Sequence, residues 1–209
     1  MNKELVIVFV KNPKLGQVKT RLAKTIGDKA ALEVYSELLK VTENATKKLR
    51  AEVRIYFSNA IEELPWNGYY KTTQQGDNLG KRMQHAFEQG FKDGYNRIVL
   101  IGSDLPDISE KHIVKGLNLL KQYNAVFGPA EDGGYYLIGL NSMLHAIFNN
   151  KPWSQPQLLA ETLKELKQQN ITFTTLDTLN DIDTFEDLAS SNFYKNHHQL
   201  QEKIKQNHD

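Results

Sequence analysis

The feature that most constrains the fold is Leu5-Val-Ile-Val-Phe-Val10, an unbroken apolar, β-branched run near the start of the chain. A strand with one wet face alternates apolar and polar residues. A continuous run is what a strand covered on both faces shows. Strand patterns recur at Val53–Phe57, Tyr69–Thr73, Arg97–Ile101, Ala125–Gly128, Tyr135–Leu140 and Ile171–Leu176. Between them lie helical patterns. Asp28 to Leu49 carries a stripe of Ala31, Leu32, Tyr35, Leu38, Leu39 and Thr42, and Leu79 to Phe91 sets Met83, Ala86, Phe87 and Gly90 on one face. Further helices are expected from Ser109, over Gln157–Gln169 and over Thr184–Ser190. Strands alternating with helices predict a single α/β domain over residues 1–193, with a mostly parallel central sheet flanked by helices. Residues 194–209 read as a polar tail, partly helical and loosely attached.

Several function classes are unsupported by the residues present. Lys and Arg total 26 against 25 Asp and Glu, so net charge gives no signal for nucleic acid or an anionic membrane. The absence of cysteine excludes thiolate metal sites, disulfides and a cysteine nucleophile. No apolar run is long enough for a transmembrane segment, and with no signal-peptide pattern the expected location is cytoplasmic. The six histidines lack metal-ligand spacing, no serine sits in a nucleophile elbow, and no Gly-x-Gly-x-x-Gly follows a strand.

In open α/β sheets, ligands bind beyond the carboxyl ends of the strands. The first such loop, Lys11-Asn-Pro-Lys-Leu-Gly-Gln-Val-Lys-Thr-Arg21, gathers Lys11, Lys14, Lys19 and Arg21 around Gly16 and suits an anion. It is not a Walker A loop, because Val18 precedes the lysine where glycine is needed. The second, Gly102-Ser-Asp-Leu-Pro-Asp107, offers Asp104 at a strand end as a ligand for Mg²⁺, which favours one or two carboxylates plus phosphate oxygens. Asp107 suits a helix cap. Asp132-Gly-Gly134 reads equally as a hairpin turn or a ligand-facing turn, with one core and one surface tyrosine expected of Tyr135 and Tyr136. In Asn180-Asp-Ile-Asp-Thr-Phe-Glu-Asp-Leu188, Asp183 or Thr184 can cap a helix. Alternatively, Asp181 or Asp183 is a second metal-facing carboxylate. The start of the Leu79 helix, with Gly80, Lys81 and Arg82, is a further place for an anion.

Taken in order, these segments resemble the nucleotide-diphospho-sugar transferase superfamily, which holds the GT-A-type glycosyltransferases and related nucleotidyltransferases. The resemblance is closer to the bacterial DUF2064 group, some of whose members are linked by name to arsenosugar biosynthesis. It rests on Lys11–Leu22, Leu79–Met83, Gly102–Pro106, Gly128–Gly139 and Asp181–Leu188. It implies a GT-A-like fold and a phosphate-wrapping first loop, with Lys11, Gly16, Lys19, Arg21, Gly80 and Arg82 at the nucleotide. It also implies Asp104 and Asp183 as ligands of Mg²⁺ or Mn²⁺. Phe185 stands where related nucleotidyltransferases carry proline, and Asp104-Leu-Pro-Asp107 lacks the Asp-x-Asp spacing of many glycosyltransferases. The expected activity is metal-dependent transfer from a nucleotide or nucleotide-sugar donor to a small-molecule acceptor. Lys19 and Arg21 would be the catalytic cations, with Asp132 as a general base. Glycosyl transfer is ranked first. Nucleotidyl transfer from an NTP with pyrophosphate release, and nucleotide binding without catalysis, are the alternatives.

Overall fold

The computed structural model describes residues 3–63 and 65–206. Strand β1 (Glu4–Val10) leads into helix α1 (Thr20–Thr46), followed by β2 (Glu52–Phe57), β3 (Tyr70–Thr73), α2 (Leu79–Lys92) and β4 (Arg97–Ile101). The second half contains α3 (Glu110–Leu119), β5 (Ala125–Pro129), β6 (Tyr135–Leu140), α4 (Leu158–Gln168), β7 (Phe173–Thr175) and α5 (Phe185–Ser190). It ends with α6 (Asn192–Lys195) and α7 (His198–Gln206).

The strands form one seven-stranded sheet in the order β3-β2-β1-β4-β6-β5-β7. β6 is antiparallel to both β4 and β5, and the other pairings are parallel. Every strand except β6 therefore ends at one edge, and β6 starts there. The continuous run of β1 explains its central place. Val6, Val8 and Val10 pack into one buried cluster with Tyr35 and Leu39 of α1 and Ile113 and Leu117 of α3. Leu5, Ile7 and Phe9 pack into another on the opposite face, with Met83 and Phe87 of α2 and Leu166 of α4. Burial of each such side chain stabilises by about 1.5–3 kcal/mol, so alternating residues of one strand hold both helical layers.

Two expectations are corrected here. Asp28 follows a break in α1 at Gly27 (φ 80°, ψ 158°), and helix extends back to Thr20, so Thr20 and Arg21 leave the first loop for a helical turn. The tail is also not loose over its described part. Leu200 and Ile204 of α7 are buried against the outer side of α1 with Leu22, Ile26 and Val34. Lys203 pairs with Glu33 at 2.7 Å, and His197 stands 3.4 Å from Glu37. Residues 207–209 of the expected tail lie outside the described residues. None of the helices among the described residues is long and apolar enough to cross a membrane.

Candidate active site

The first loop leaves β1 and reverses through Gly16 (φ 72°), whose turn is closed by Gln17 N–H donating to Lys14 O at 3.0 Å. It ends at Lys19, which adopts a left-handed backbone (φ 47°, ψ 45°) immediately before α1. That strained conformation, uncommon for a residue with a side chain, turns Lys19 inward. It is only 8% exposed, and its Nζ donates to Asp104 Oδ2 at 3.0 Å. In the first turn of α1, Arg21 Nη2 lies 2.7 Å from Asp183 Oδ2. The two cations expected at the phosphates thus each meet one of the two expected metal carboxylates.

Tyr35 has a role that its place in an apolar stripe concealed. Its hydroxyl receives the Lys11 N–H (3.0 Å), donates to Lys11 O (2.9 Å) and lies 3.0 Å from the buried Ser103 Oγ. One phenol on α1 therefore ties the first loop to the loop after β4. Burial foremost holds its pKa well above the ordinary phenol value, so it stays protonated.

The C-terminal segment closes the site. Ile182 N–H reaches Asp104 O at 3.4 Å, and the Ile182 side chain is buried. Thr184, not Asp183, caps α5: its Oγ1 accepts from Asp187 N–H, while Asp187 Oδ2 accepts from Thr184 N–H at 2.7 Å. Asp183 is thereby left to Arg21. Asp181 is pushed up to about 6 by burial first and then by Asp104, with Asp132 and Asp183 adding to the effect against Lys19. Asp107 is exposed and Ser109 is the cap of α3, with Ser109 N–H donating to His112 Nδ1 at 3.2 Å.

Two cavities meet at Asp104. The larger, about 470 Å³, is lined by Lys11, Lys19, Arg21, Gln74, Arg82 and Asp183 among others, and is cationic. Arg82 is held there by Gly76 O at 3.0 Å. The smaller, about 240 Å³, lies over the β5–β6 turn and is lined by Asp132, Asp181, Trp153, Met83 and Tyr135 among others. Phe9, Leu79, Gly102 and Asp104 border both. The turn is a hairpin and also lines the smaller cavity. Asp132 Oδ1 accepts from Gly134 N–H at 2.9 Å. Tyr135 and Tyr136 both turn inward, against the expectation of one core and one surface ring.

Gly16 and Gly80 line neither cavity. Gly16 sits at the exposed loop apex, whereas Gly80 is buried beneath Trp153, whose ring lies 2.4 Å from where a Cβ would stand. The donor set at Asp104 suits a hard divalent cation that takes one or two carboxylates together with phosphate oxygens and water. No cluster of three acidic or histidine side chains among the described residues forms a metal cage, so the protein would supply only part of the shell.

A mostly parallel sheet with a cationic cleft and carboxylates at its carboxyl edge is the architecture of the nucleotide-dependent transferases, and comparison with known proteins places the chain in that class. The chain belongs to the bacterial family described as uncharacterized proteins conserved in bacteria (DUF2064), whose model matches residues 41–155. A solved chain from Desulfovibrio desulfuricans G20, itself only provisionally assigned as a nucleotide-diphospho-sugar transferase, is 32% identical and covers 99% of each chain with a TM-score of 0.87. A 2-phospho-L-lactate guanylyltransferase from Methanocaldococcus sp. (strain FS406-22) is 26% identical over 180 residues, 84% of this chain and 76% of that protein. The inositol-1-phosphate CTP transferase of T. maritima shares the fold at a TM-score of 0.56 and 14% identity, covering 98% of this chain and 97% of its own.

Proposed function

We propose that the chain is a metal-dependent nucleotidyltransferase, which moves a nucleoside monophosphate from an NTP onto a phosphorylated small molecule and releases pyrophosphate. The observation that carries this reading is the position of the Lys19–Asp104 pair between a cationic cleft and a second, acceptor-sized cavity. A triphosphate seated against Lys11, Lys19, Arg21 and Arg82 brings its α-phosphorus to Asp104, the point where the cavities join. An acceptor phosphate oxygen entering from the other cavity attacks the α-phosphorus. The bond from that phosphorus to the bridging oxygen breaks, and pyrophosphate leaves with the electron pair.

Lys19 and Arg21 stabilise the charge that builds on the non-bridging and leaving oxygens, the electrostatic route for such displacements. Asp104 and Asp183 would hold a divalent ion, which when bound polarises phosphate oxygens. The same two carboxylates take the Lys19–Asp104 and Arg21–Asp183 ion pairs. A phosphate monoester, with a second pKa of about 6, already carries a nucleophilic oxygen at neutral pH. The transfer therefore needs no proton removed, and Asp132 is not required as a base.

Glycosyl transfer, ranked first from sequence, now ranks second. The guanylyltransferase relatives span most of the chain, and a cleft with this many cations suits a triphosphate better than a diphosphate ester. The provisional assignment of the Desulfovibrio chain is what keeps glycosyl transfer in view. Incubation with α-labelled NTPs or labelled nucleotide sugars separates the two. Nucleotidyl transfer predicts label from the α-position in product with equimolar pyrophosphate, whereas release of a nucleoside diphosphate from a nucleotide sugar would favour the alternative. Catalysis is separated from simple binding by Asp104→Asn. Nucleotide affinity insensitive both to Mg²⁺ and to this change would indicate a non-catalytic binder.

A further inference from the structure

The smaller cavity has a composition unusual for a site next to phosphate chemistry. None of the described residues lining it is Lys, Arg or His. It presents instead an indole (Trp153), a thioether (Met83) and the carboxylates of Asp132 and Asp181. Those two carboxylates enter none of the ion pairs among the described residues, unlike Asp104 and Asp183. Asp132 uses Oδ1 for the Gly134 N–H and keeps its other oxygen available. Tyr135 lines the same cavity, and its hydroxyl is fully buried without a hydrogen-bond partner.

An anionic group placed here would lose its hydration against two carboxylates with no cation among the lining residues to replace the water, which is the costly case for burying charge. The nearby Lys19 ammonium is already held by Asp104. A plain alkyl group would cover both carboxylates without giving either a partner. A cation suits the exposed surfaces of the cavity at once. Its N–H or N–CH₃ groups can face the carboxylates, and an indole attracts cations through its ring quadrupole.

We infer that this cavity receives the body of the acceptor, and that this body carries a protonated amine or a quaternary ammonium group. The inference rests on the nucleotidyl-transfer reading, because it takes the phosphate of that acceptor to lie at Asp104. It also sets this chain apart in acceptor chemistry from the phospholactate guanylyltransferases to which it is similar, whose named acceptor carries a carboxylate.

The test is equilibrium binding to the full chain with Mg²⁺ and a non-hydrolysable NTP, read by calorimetry and by Trp153 fluorescence. Trp66, the other tryptophan, is buried away from the cavity and gives a constant background. Three probes share a phosphate and differ in the body: 2-aminoethyl phosphate, propyl phosphate and 2-phosphoglycolate. The amine is expected to bind at least tenfold more tightly than propyl phosphate, with phosphoglycolate weakest. Asp132→Asn keeps an oxygen for the Gly134 N–H and is expected to narrow the amine-to-propyl ratio to below about threefold. Equal affinities, no binding of the amine, phosphoglycolate binding best, or a ratio untouched by Asp132→Asn would each overturn the inference. Tight amine binding without pyrophosphate release from any NTP would sink the transfer reading and keep the pocket assignment. Pyrophosphate release with phosphoglycolate as the best acceptor would do the reverse.

Discussion

At the scale of single residues, the site is a set of opposed charges whose partners change when substrate arrives. Lys19 is buried on Asp104, and that pair must loosen for the lysine to serve phosphate oxygens. Lys19→Met is expected to lower kcat by at least about a hundredfold, the size typical of losing one preorganised electrostatic donor. Its melting temperature should change little, because Asp104 keeps about two-fifths of its side chain in solvent. A thermal melt beside an activity assay checks both. Asp181 makes a different prediction. Its carboxyl is raised to about 6 by burial and neighbouring carboxylates, so its ionised form destabilises the fold. Above about pH 6 the whole penalty is present. As pH falls toward its unfolded value, the folded chain takes up the proton first and the penalty disappears. Asp181→Asn should therefore stabilise by roughly 1 kcal/mol at pH 8, after allowance for solvent screening. The gain should vanish near pH 4, and equal melting shifts at both pH values would contradict it. Sequence alone left Asp181 and Asp183 as alternatives. They flank the buried Ile182 and line different cavities, a distinction that spacing does not encode.

At the scale of elements, short-range signals were readable and long-range ones were not. The caps at Ser109 and Thr184 depend on residues three positions away, and their chemistry is visible in the chain. Thr184→Ala is expected to cost about 1 kcal/mol and to weaken nucleotide binding by releasing the segment that carries Asp183. A melt and a nucleotide titration read the two effects. Gly133 shows the opposite case. Its φ of 87° is one that a Gly-Gly turn permits, yet the decisive contact is remote. A Cβ there would stand 1.9 Å from Pro156 O, in the segment that runs from Trp153 to α4. Gly133→Ala should cost at least about 1–2 kcal/mol and alter Trp153 emission, because the turn and the cavity wall cannot both keep their places. An unchanged spectrum would mean that the wall is not seated on the turn. The same kind of remote contact explains Gly80, which read as a phosphate neighbour and instead makes room for the Trp153 ring.

At the scale of the whole molecule, the alternation of patterns announced an α/β sheet, and the unbroken β1 run announced burial on both faces. Strand order and the reversal of β6 were not legible, since pairing is decided between residues far apart in sequence. Nor was the docking of α7, where Leu200 and Ile204 are the buried apolar pair in an otherwise polar helix. Leu200→Ala is expected to cost about 2–4 kcal/mol, in the range for emptying a buried leucine site. Because α7 packs on the helix that begins with Thr20 and Arg21, nucleotide affinity should fall along with the melting temperature. The measurement that bears most directly on the proposed chemistry follows the nucleotide's phosphorus. The full chain, with Mg²⁺, would be incubated with α-³²P-labelled NTPs and a pool of phosphorylated small molecules and nucleotide sugars. Nucleotidyl transfer predicts label in a phosphatase-resistant diphosphate product substituted on both phosphates, matched mole for mole by pyrophosphate and lost in Asp104→Asn. Unlabelled product, with a nucleotide sugar consumed and a nucleoside diphosphate released in the same pool, would contradict it.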